Sequence, residues 1–147
     1  PVRGVNRPPK FLPVLAAWLG VVCWVGSVWW LSSLSGPEVA RINVWNVWDK
    51  ASHFAAFALG GALLVAALSL SSSWAGRRVC AVSWAALSLF AAVDEWHQLS
   101  TPKRSGADPA DWMADTLGAV TGVICASGIR RIYVRSKRKN HPAPPGT

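Results

Sequence analysis

The sequence predicts an all-α integral membrane protein, a four-helix bundle with both termini on the cytoplasmic side (N-in/C-in). Three observations support this fold class: 52% of the 147 residues are hydrophobic and only 15% are charged, the charges leave long apolar windows, and Lys and Arg are unevenly divided between the connecting segments. A helix needs about 20 mostly apolar residues to cross the bilayer core. A chain of this length makes one domain.

Four segments meet the length requirement for a membrane span. The first contains 24 residues without a charge, and the third and fourth are shorter and polar at one end. The first apolar run is too long for the core of a signal peptide, so we expect a signal anchor. The predicted helices are 11–34, 50–75, 79–98 and 109–130, with a basic cytoplasmic N-terminus at 1–10 and a basic, Pro-rich, disordered cytoplasmic tail at 131–147.

The distribution of basic residues predicts the orientation. One side of the membrane receives eleven of the fifteen Lys and Arg residues, and the other receives Arg41, Lys50, Lys103 and Arg104. Cytoplasmic loops carry the excess of Lys and Arg. A net charge of +8 that flanks apolar segments favours membrane lipids, and not nucleic acid, as the partner. The three cysteines lie in apolar runs without metal-ligand spacing.

Most of the acidic residues fall at one depth in this topology. Six of the seven acids occupy three short segments that the topology places at the outer surface. Ionisable groups at membrane depth are costly and mark functional sites. These six acids are Asp49, Asp94, Glu95, Asp108, Asp111 and Asp115.

The first of these segments combines an acid, a base and a histidine. On a helix Asp49, Lys50 and His53 share a face. A carboxylate one turn away can orient an imidazole as a general base or a metal ligand. The spacing also fits a helix cap at Asp49 with an interfacial His53.

The second segment places two acids at a helix C-terminus, where they oppose the helix dipole. Asp94 shares a face with His97 and Gln98, and Glu95 shares one with Gln98. Such a placement favours a functional role over a stabilising one.

The third segment begins the last span. Asp108 precedes a proline and has the pattern of an N-cap. Asp111 and Asp115 follow at one-turn spacing, on a stripe that continues through Gly118 and Gly122. A GxxxG pair permits close helix contact, so we expect both acids to face the bundle interior.

The acids outnumber the basic residues near them. Six carboxylates face Lys50, Lys103 and Arg104, which leaves three negative charges if the histidines are neutral. Protonated acids, charged histidines or a bound cation would relieve this excess. The cofactor remains unknown; a divalent metal ion is one candidate, with Asp111, Asp115 and His97 as its candidate ligands.

The three segments together resemble the VanZ-like family over residues 45–125. The quoted residues are Asp49-Lys50…His53-Phe54…Phe57, Asp94-Glu95…His97-Gln98, and Arg104…Asp108…Asp111…Asp115-Thr-Leu-Gly118…Gly122. The resemblance implies a small multi-pass protein of the bacterial cell membrane, since the founding member is associated with teicoplanin resistance. The family is also distantly similar to membrane enzymes that hydrolyse or exchange phospholipid headgroups.

Several functions remain open, and the sequence does not decide whether the protein is an enzyme. The first is a lipid-headgroup hydrolase or transferase, or activity on a cell-envelope precursor, at the outer leaflet. The second is non-enzymatic binding of a lipid-linked cell-wall precursor or a glycopeptide antibiotic. A transport pathway ranks last, because the polar residues lie at one end of the spans. In the enzyme hypothesis the catalytic residues are His53, Glu95, Asp49 and Asp94, and the substrate-binding residues are Lys50, Arg104, Gln98 and Lys103.

Overall fold

The protein is a helical bundle in the computed structural model, which describes residues 11–43 and 48–140 except the side chain of Arg138. Four of the described helices are long and apolar enough to cross a membrane, and the described residues contain no strand. The predicted all-α membrane bundle is therefore confirmed. The helices are α1 (Phe11–Ser32), α2 (Gly36–Ile42), α3 (Asp49–Ser71), α4 (Gly76–Gln98) and α5 (Pro109–Asn140).

The turn between α3 and α4 is longer than expected from the predicted boundaries of 75 and 79. Ser72 adopts an extended conformation (φ −126°, ψ 157°) and ends α3. The hydroxyls of Ser71 and Ser72 donate hydrogen bonds to the backbone oxygens of Ala67 and Leu68, both at 2.7 Å. Serine side chains that bond to nearby backbone groups weaken helices, so the helix ends four residues early.

The last helix is longer than predicted. We expected a disordered tail from residue 131, but α5 continues to Asn140, which corrects that boundary. Residues 131–140 lack Gly and Pro and are rich in Arg and Lys, which are good helix formers and suit the negative end of the helix dipole. The predictions for residues 1–10 and 141–147 lie outside the described residues.

Helix α2 was missing from the sequence prediction. The Glu38 carboxylate accepts hydrogen bonds from the Ser35 backbone N–H at 2.8 Å and from the Ser35 hydroxyl at 2.5 Å. These bonds lower the pKa of Glu38. The S-x-x-E spacing is a capping-box signal, so the sequence did contain a sign of this helix. The Gly36 N–H donates to the Pro102 oxygen at 3.2 Å, which fixes α2 against the α4–α5 loop.

The core is built around one tryptophan of α1. Trp24 is buried, and its indole N–H donates to the Ala56 oxygen at 2.8 Å. Its ring meets Phe57 edge-on with the centroids 5.4 Å apart, and Phe90 completes the group. Gly60 lies beneath the indole, where a Cβ would collide with the ring. Trp24 therefore joins α1 to α3 and α4 at mid-depth.

Helices α3 and α5 approach each other most closely at the predicted GxxxG pair. A Cβ on Gly118 would collide with the Phe54 backbone, and one on Gly122 with the Ala58 backbone. Gly61 of α3 faces the Ala119 oxygen in the same way. The expectation of close contact at this stripe is confirmed. Backbones at this separation bring the side chains at the start of both helices together.

We expect Gly122→Ala to destabilise the bundle by about 1–3 kcal/mol, because the added methyl group must push two backbones apart. Thermal unfolding of the purified protein in detergent measures the effect. Gly128→Ala is the matched control on the same helix, since its Cβ would meet no atom within 4 Å. Equal melting temperatures for the two variants would contradict the close contact.

Candidate functional site

The ionisable residues meet at one end of the bundle, where α1 and α4 end and α3 and α5 begin. We call this group the polar cluster: Asp49, Lys50, His53, Asp94, Glu95, Gln98, Arg104, Asp108, Asp111 and Asp115. Four of its carboxylates are almost completely buried, with exposed fractions of 1% for Asp94, 4% for Glu95, 3% for Asp111 and 0% for Asp115. Buried charges need partners, so the partners define what the cluster can do.

His53 pairs with Asp115. The Nδ1 atom lies 3.0 Å from Asp115 Oδ1, within hydrogen-bonding distance. The contact follows from the close approach of α3 and α5. Asp49 Oδ1 lies 3.9 Å from Nε2, which is too far for a hydrogen bond. Asp49 is the orienting residue that the sequence predicts, whereas the geometry gives this role to Asp115, which the sequence predicts as a metal ligand.

Lys50 is surrounded by carboxylates. Its ammonium group lies 2.9 Å from Asp108 Oδ2, contacts Asp111 Oδ1 and is 3.8 Å from Asp49 Oδ2. The hydrogen bond from Lys50 lowers the pKa of Asp108. Asp108 Oδ1 accepts the Ala110 N–H at 2.8 Å, as predicted for an N-cap. Lys50 is therefore engaged within the cluster and does not line the cavity described below; its role in holding a phosphate stays a prediction.

Asp94 begins a chain of hydrogen bonds that ends at Arg104. Its Oδ2 atom accepts the Ser32 hydroxyl at 2.7 Å and the Gln98 amide at 3.1 Å. Gln98 Oε1 in turn accepts two N–H groups of Arg104, at 2.8 Å from Nη2 and 3.2 Å from Nε. The predicted substrate-binding residue Gln98 thus positions Arg104.

Glu95 connects the end of α4 to the start of α5. Its Oε2 atom accepts the Asp108 N–H at 2.9 Å, and its backbone oxygen accepts the Ala107 N–H at 3.0 Å. The α4–α5 loop also contains Lys103, which is exposed and has a positive φ of 57°. Lys103 is not among the residues that line the cavity described below.

Three buried carboxylate oxygens have no hydrogen-bond partner among residues 11–43 and 48–140: Asp94 Oδ1, Glu95 Oε1 and Asp115 Oδ2. An unpaired charged oxygen in a dry environment is unfavourable. A proton or an external cation would satisfy each of them.

Two three-residue sets could hold a metal ion, since their ligand atoms lie within 4.8 Å of one another: Asp49, His53 and Asp111, and His53, Glu95 and Asp115. Their mixture of oxygen and imidazole ligands suits a divalent ion. Asp111 and Asp115 were predicted metal ligands. His97 was also predicted, but its Nε2 lies 3.0 Å from the Ser33 hydroxyl and its ring stacks on Trp29 with centroids 4.1 Å apart. It lies in neither set.

A cavity of about 270 Å³ adjoins the cluster between α1, α2, α3 and the end of α4. Its polar wall includes His53, Asp94 and Arg104, and Asp49 lies beside them. The apolar wall consists of Val28, Leu31, Val39, Ile42, Ala56 and Phe57. A pocket with few polar groups and apolar walls is typical of small-molecule sites.

These features define a multi-pass membrane protein with a buried ionisable site at one end of its bundle. The family model described as VanZ/LLP1 matches residues 11–131. The chain therefore belongs to the VanZ/LLP1 family, in agreement with the resemblance in its motifs. No curated protein and no solved structure matches the chain.

We expect Asp108→Asn to lower the melting temperature at pH 7, because Lys50 loses a charged partner. The folded-state pKa of Asp108 is lowered, so its stabilising contribution is present above the ordinary pKa of about 3.9 and is lost as the pH falls through the folded value. The difference between variant and wild type in thermal unfolding should therefore shrink below about pH 4. A difference that stays constant from pH 7 to pH 3 would contradict the ion pair.

Proposed function

We propose that this protein hydrolyses or exchanges phosphate-containing lipid headgroups at the extracytoplasmic face of the cell membrane. The observation that carries the proposal is the cavity, in which His53, paired with Asp115 behind it, and Arg104 meet apolar walls. A lipid has the same two parts, a charged headgroup and apolar chains. The cavity lies at an end of the spans, where headgroups lie.

His53 acts as the general base in this proposal. Asp115 holds Nδ1–H, which leaves the Nε2 lone pair for a proton. Nε2 takes that proton from water or an acceptor alcohol as its oxygen forms a bond to phosphorus. The bond from phosphorus to the leaving oxygen breaks, and the imidazolium returns the proton to it. Asp49, 3.9 Å from Nε2, is at a distance that one bridging water can span and would position the attacking group.

Arg104 binds the phosphate. A guanidinium has five N–H donors. Two of those of Arg104, one on Nε and one on Nη2, donate to Gln98 Oε1. The remaining three can donate to phosphate oxygens, for which the planar group is well suited. Gln98 fixes the plane of the guanidinium, which favours a defined phosphate position.

A divalent ion would provide a different route, in which His53 is a ligand and not the general base, because an imidazole nitrogen that binds a metal cannot also hold or take a proton. Either three-residue set would hold it through His53 and two carboxylates, and the ion would polarise a phosphoryl oxygen. Headgroup release is therefore measured with a chelator and with added Mg²⁺, Mn²⁺, Ca²⁺ or Zn²⁺.

We expect His53→Ala to abolish headgroup release and Asp115→Asn to reduce it by about 10²–10⁴-fold, because the imidazole loses its orienting carboxylate. Mass spectrometry of a lipid panel incubated with the purified protein measures the products. Thr116→Val is the matched control: it is isosteric, lies next to Asp115, and removes a buried hydroxyl that has no partner among the described residues. It should retain activity.

The same assay separates the two candidate functions. Saturable binding of a lipid-linked envelope precursor or a glycopeptide without turnover would favour the non-enzymatic alternative. Neither turnover nor binding over the full panel, with and without divalent ions, would contradict both.

The proposal requires the polar cluster to face outward, as the excess of Lys and Arg at the opposite end of the spans indicates. In a variant with the three cysteines replaced by alanine, we expect Lys103→Cys to react with a membrane-impermeant maleimide in intact cells. Arg77→Cys, in the first turn of α4 at the other end, should react only after permeabilisation. The opposite labelling pattern would place the site inside the cell and exclude the proposed location.

A further inference from the structure

Asp94 has one carboxylate oxygen that the protein leaves unpaired. Its side chain is 1% exposed and lines the cavity. Ser32 and Gln98 both donate to Oδ2. Oδ1 has no hydrogen-bond partner within the described parts of the chain. An acceptor that is buried and charged favours a ligand with a hydrogen-bond donor.

The basic residues nearby do not neutralise Asp94 directly. Lys50 pairs with Asp108 and Asp111 on the other side of the cluster. Arg104 reaches Asp94 only through Gln98. Asp94, a residue of the cavity wall, thus has no basic side chain as a direct partner among the described residues, and a cationic donor complements its carboxylate best.

A metal ion suits this position less well than an organic cation. Asp94 belongs to neither set of residues with metal-ligand geometry, and it offers one free oxygen. An ammonium group is satisfied by a few separate acceptors, and Asp49 supplies a second carboxylate in the same cavity. The methylene groups next to an ammonium can contact the apolar wall formed by residues such as Leu31 and Ile42.

We infer that Asp94 binds a primary ammonium group while Arg104 binds the phosphate, so that the site prefers zwitterionic aminophospholipids. The lipid context of this inference rests on the proposed function. The ammonium can belong to the bound lipid or to a free amino alcohol that serves as the acceptor in an exchange reaction. Both share one chemistry, an N–H donor with a positive charge.

Lipid binding to the full-length chain tests the inference. The chain carries His53→Ala, so that no turnover takes place during the measurement. Tryptophan fluorescence titrations compare short-chain phosphatidylethanolamine with phosphatidylglycerol and phosphatidylcholine. We expect phosphatidylethanolamine to bind at least about tenfold more tightly than either, since glycerol lacks the charge and choline lacks N–H donors. Competition by free ethanolamine against phosphatidylglycerol forms a separate arm: mutual exclusion indicates a lipid-borne ammonium, and simultaneous binding indicates a soluble acceptor.

Adding Asp94→Asn should remove the preference, because the amide keeps the shape and loses the charge. Asp108→Asn is the matched control: it removes a carboxylate that pairs with Lys50 and does not line this cavity, and it should leave the ratio of affinities unchanged. Equal affinities for phosphatidylethanolamine and phosphatidylcholine together with no binding of free ethanolamine, in the protein with Asp94 intact, would overturn the inference, whether or not Asp94→Asn folds. A preference that survives Asp94→Asn in a folded protein would also overturn it.

The outcomes also separate this inference from the proposed function. Preferential binding of the amine-containing lipid without headgroup release by the wild type supports the ammonium site and contradicts the enzyme. Release of headgroups without discrimination among the three lipids and without binding of free ethanolamine supports the enzyme and contradicts the ammonium site.

Discussion

The close contact between α3 and α5 determines the rest of the structure. Gly118 and Gly122 let the two backbones meet at Phe54 and Ala58, and this fixes the register of the helices one turn further along. In that register His53 lies against Asp115, and Lys50 of α3 contacts Asp111 in the first turn of α5. A larger residue on the glycine stripe would separate charges that are favourable in a membrane only as pairs.

The two faces of the polar cluster differ in how completely their charges are paired. Between α3 and α5, Lys50 meets Asp108 and Asp111, and these groups stabilise the contact of the two helices. Helix α4 contributes Asp94 and Glu95, each with an oxygen that no described group satisfies. The ion pairs of Lys50 fit a structural role, whereas the unsatisfied oxygens of α4, together with Asp115 Oδ2 of α5, are the ones that a ligand or a proton would balance.

Sequence patterns predicted those features of the fold that are properties of a single helix. The apolar windows predicted the four spans, and the GxxxG stripe predicted the contact surface of α5. The partner of His53 could not be predicted, because it depends on the register between α3 and α5, which one sequence does not contain. Likewise, helical periodicity placed His97 near Asp94, whereas its ring stacks on Trp29 of α1. Such contacts depend on which neighbouring helix lies beside the last turn of α4.

The buried Trp24 sets a limit on what the cavity can admit. Its indole joins α1 to the backbone of α3, and Phe57, which lines the inner end of the cavity, lies directly against it. The bundle is therefore closed below the polar wall. In the proposed function, a lipid would place its headgroup at the polar wall and the adjoining part of its chains at the apolar wall, while the rest of its hydrocarbon would stay among the surrounding lipids. Extraction of a whole lipid from the bilayer would then be unnecessary.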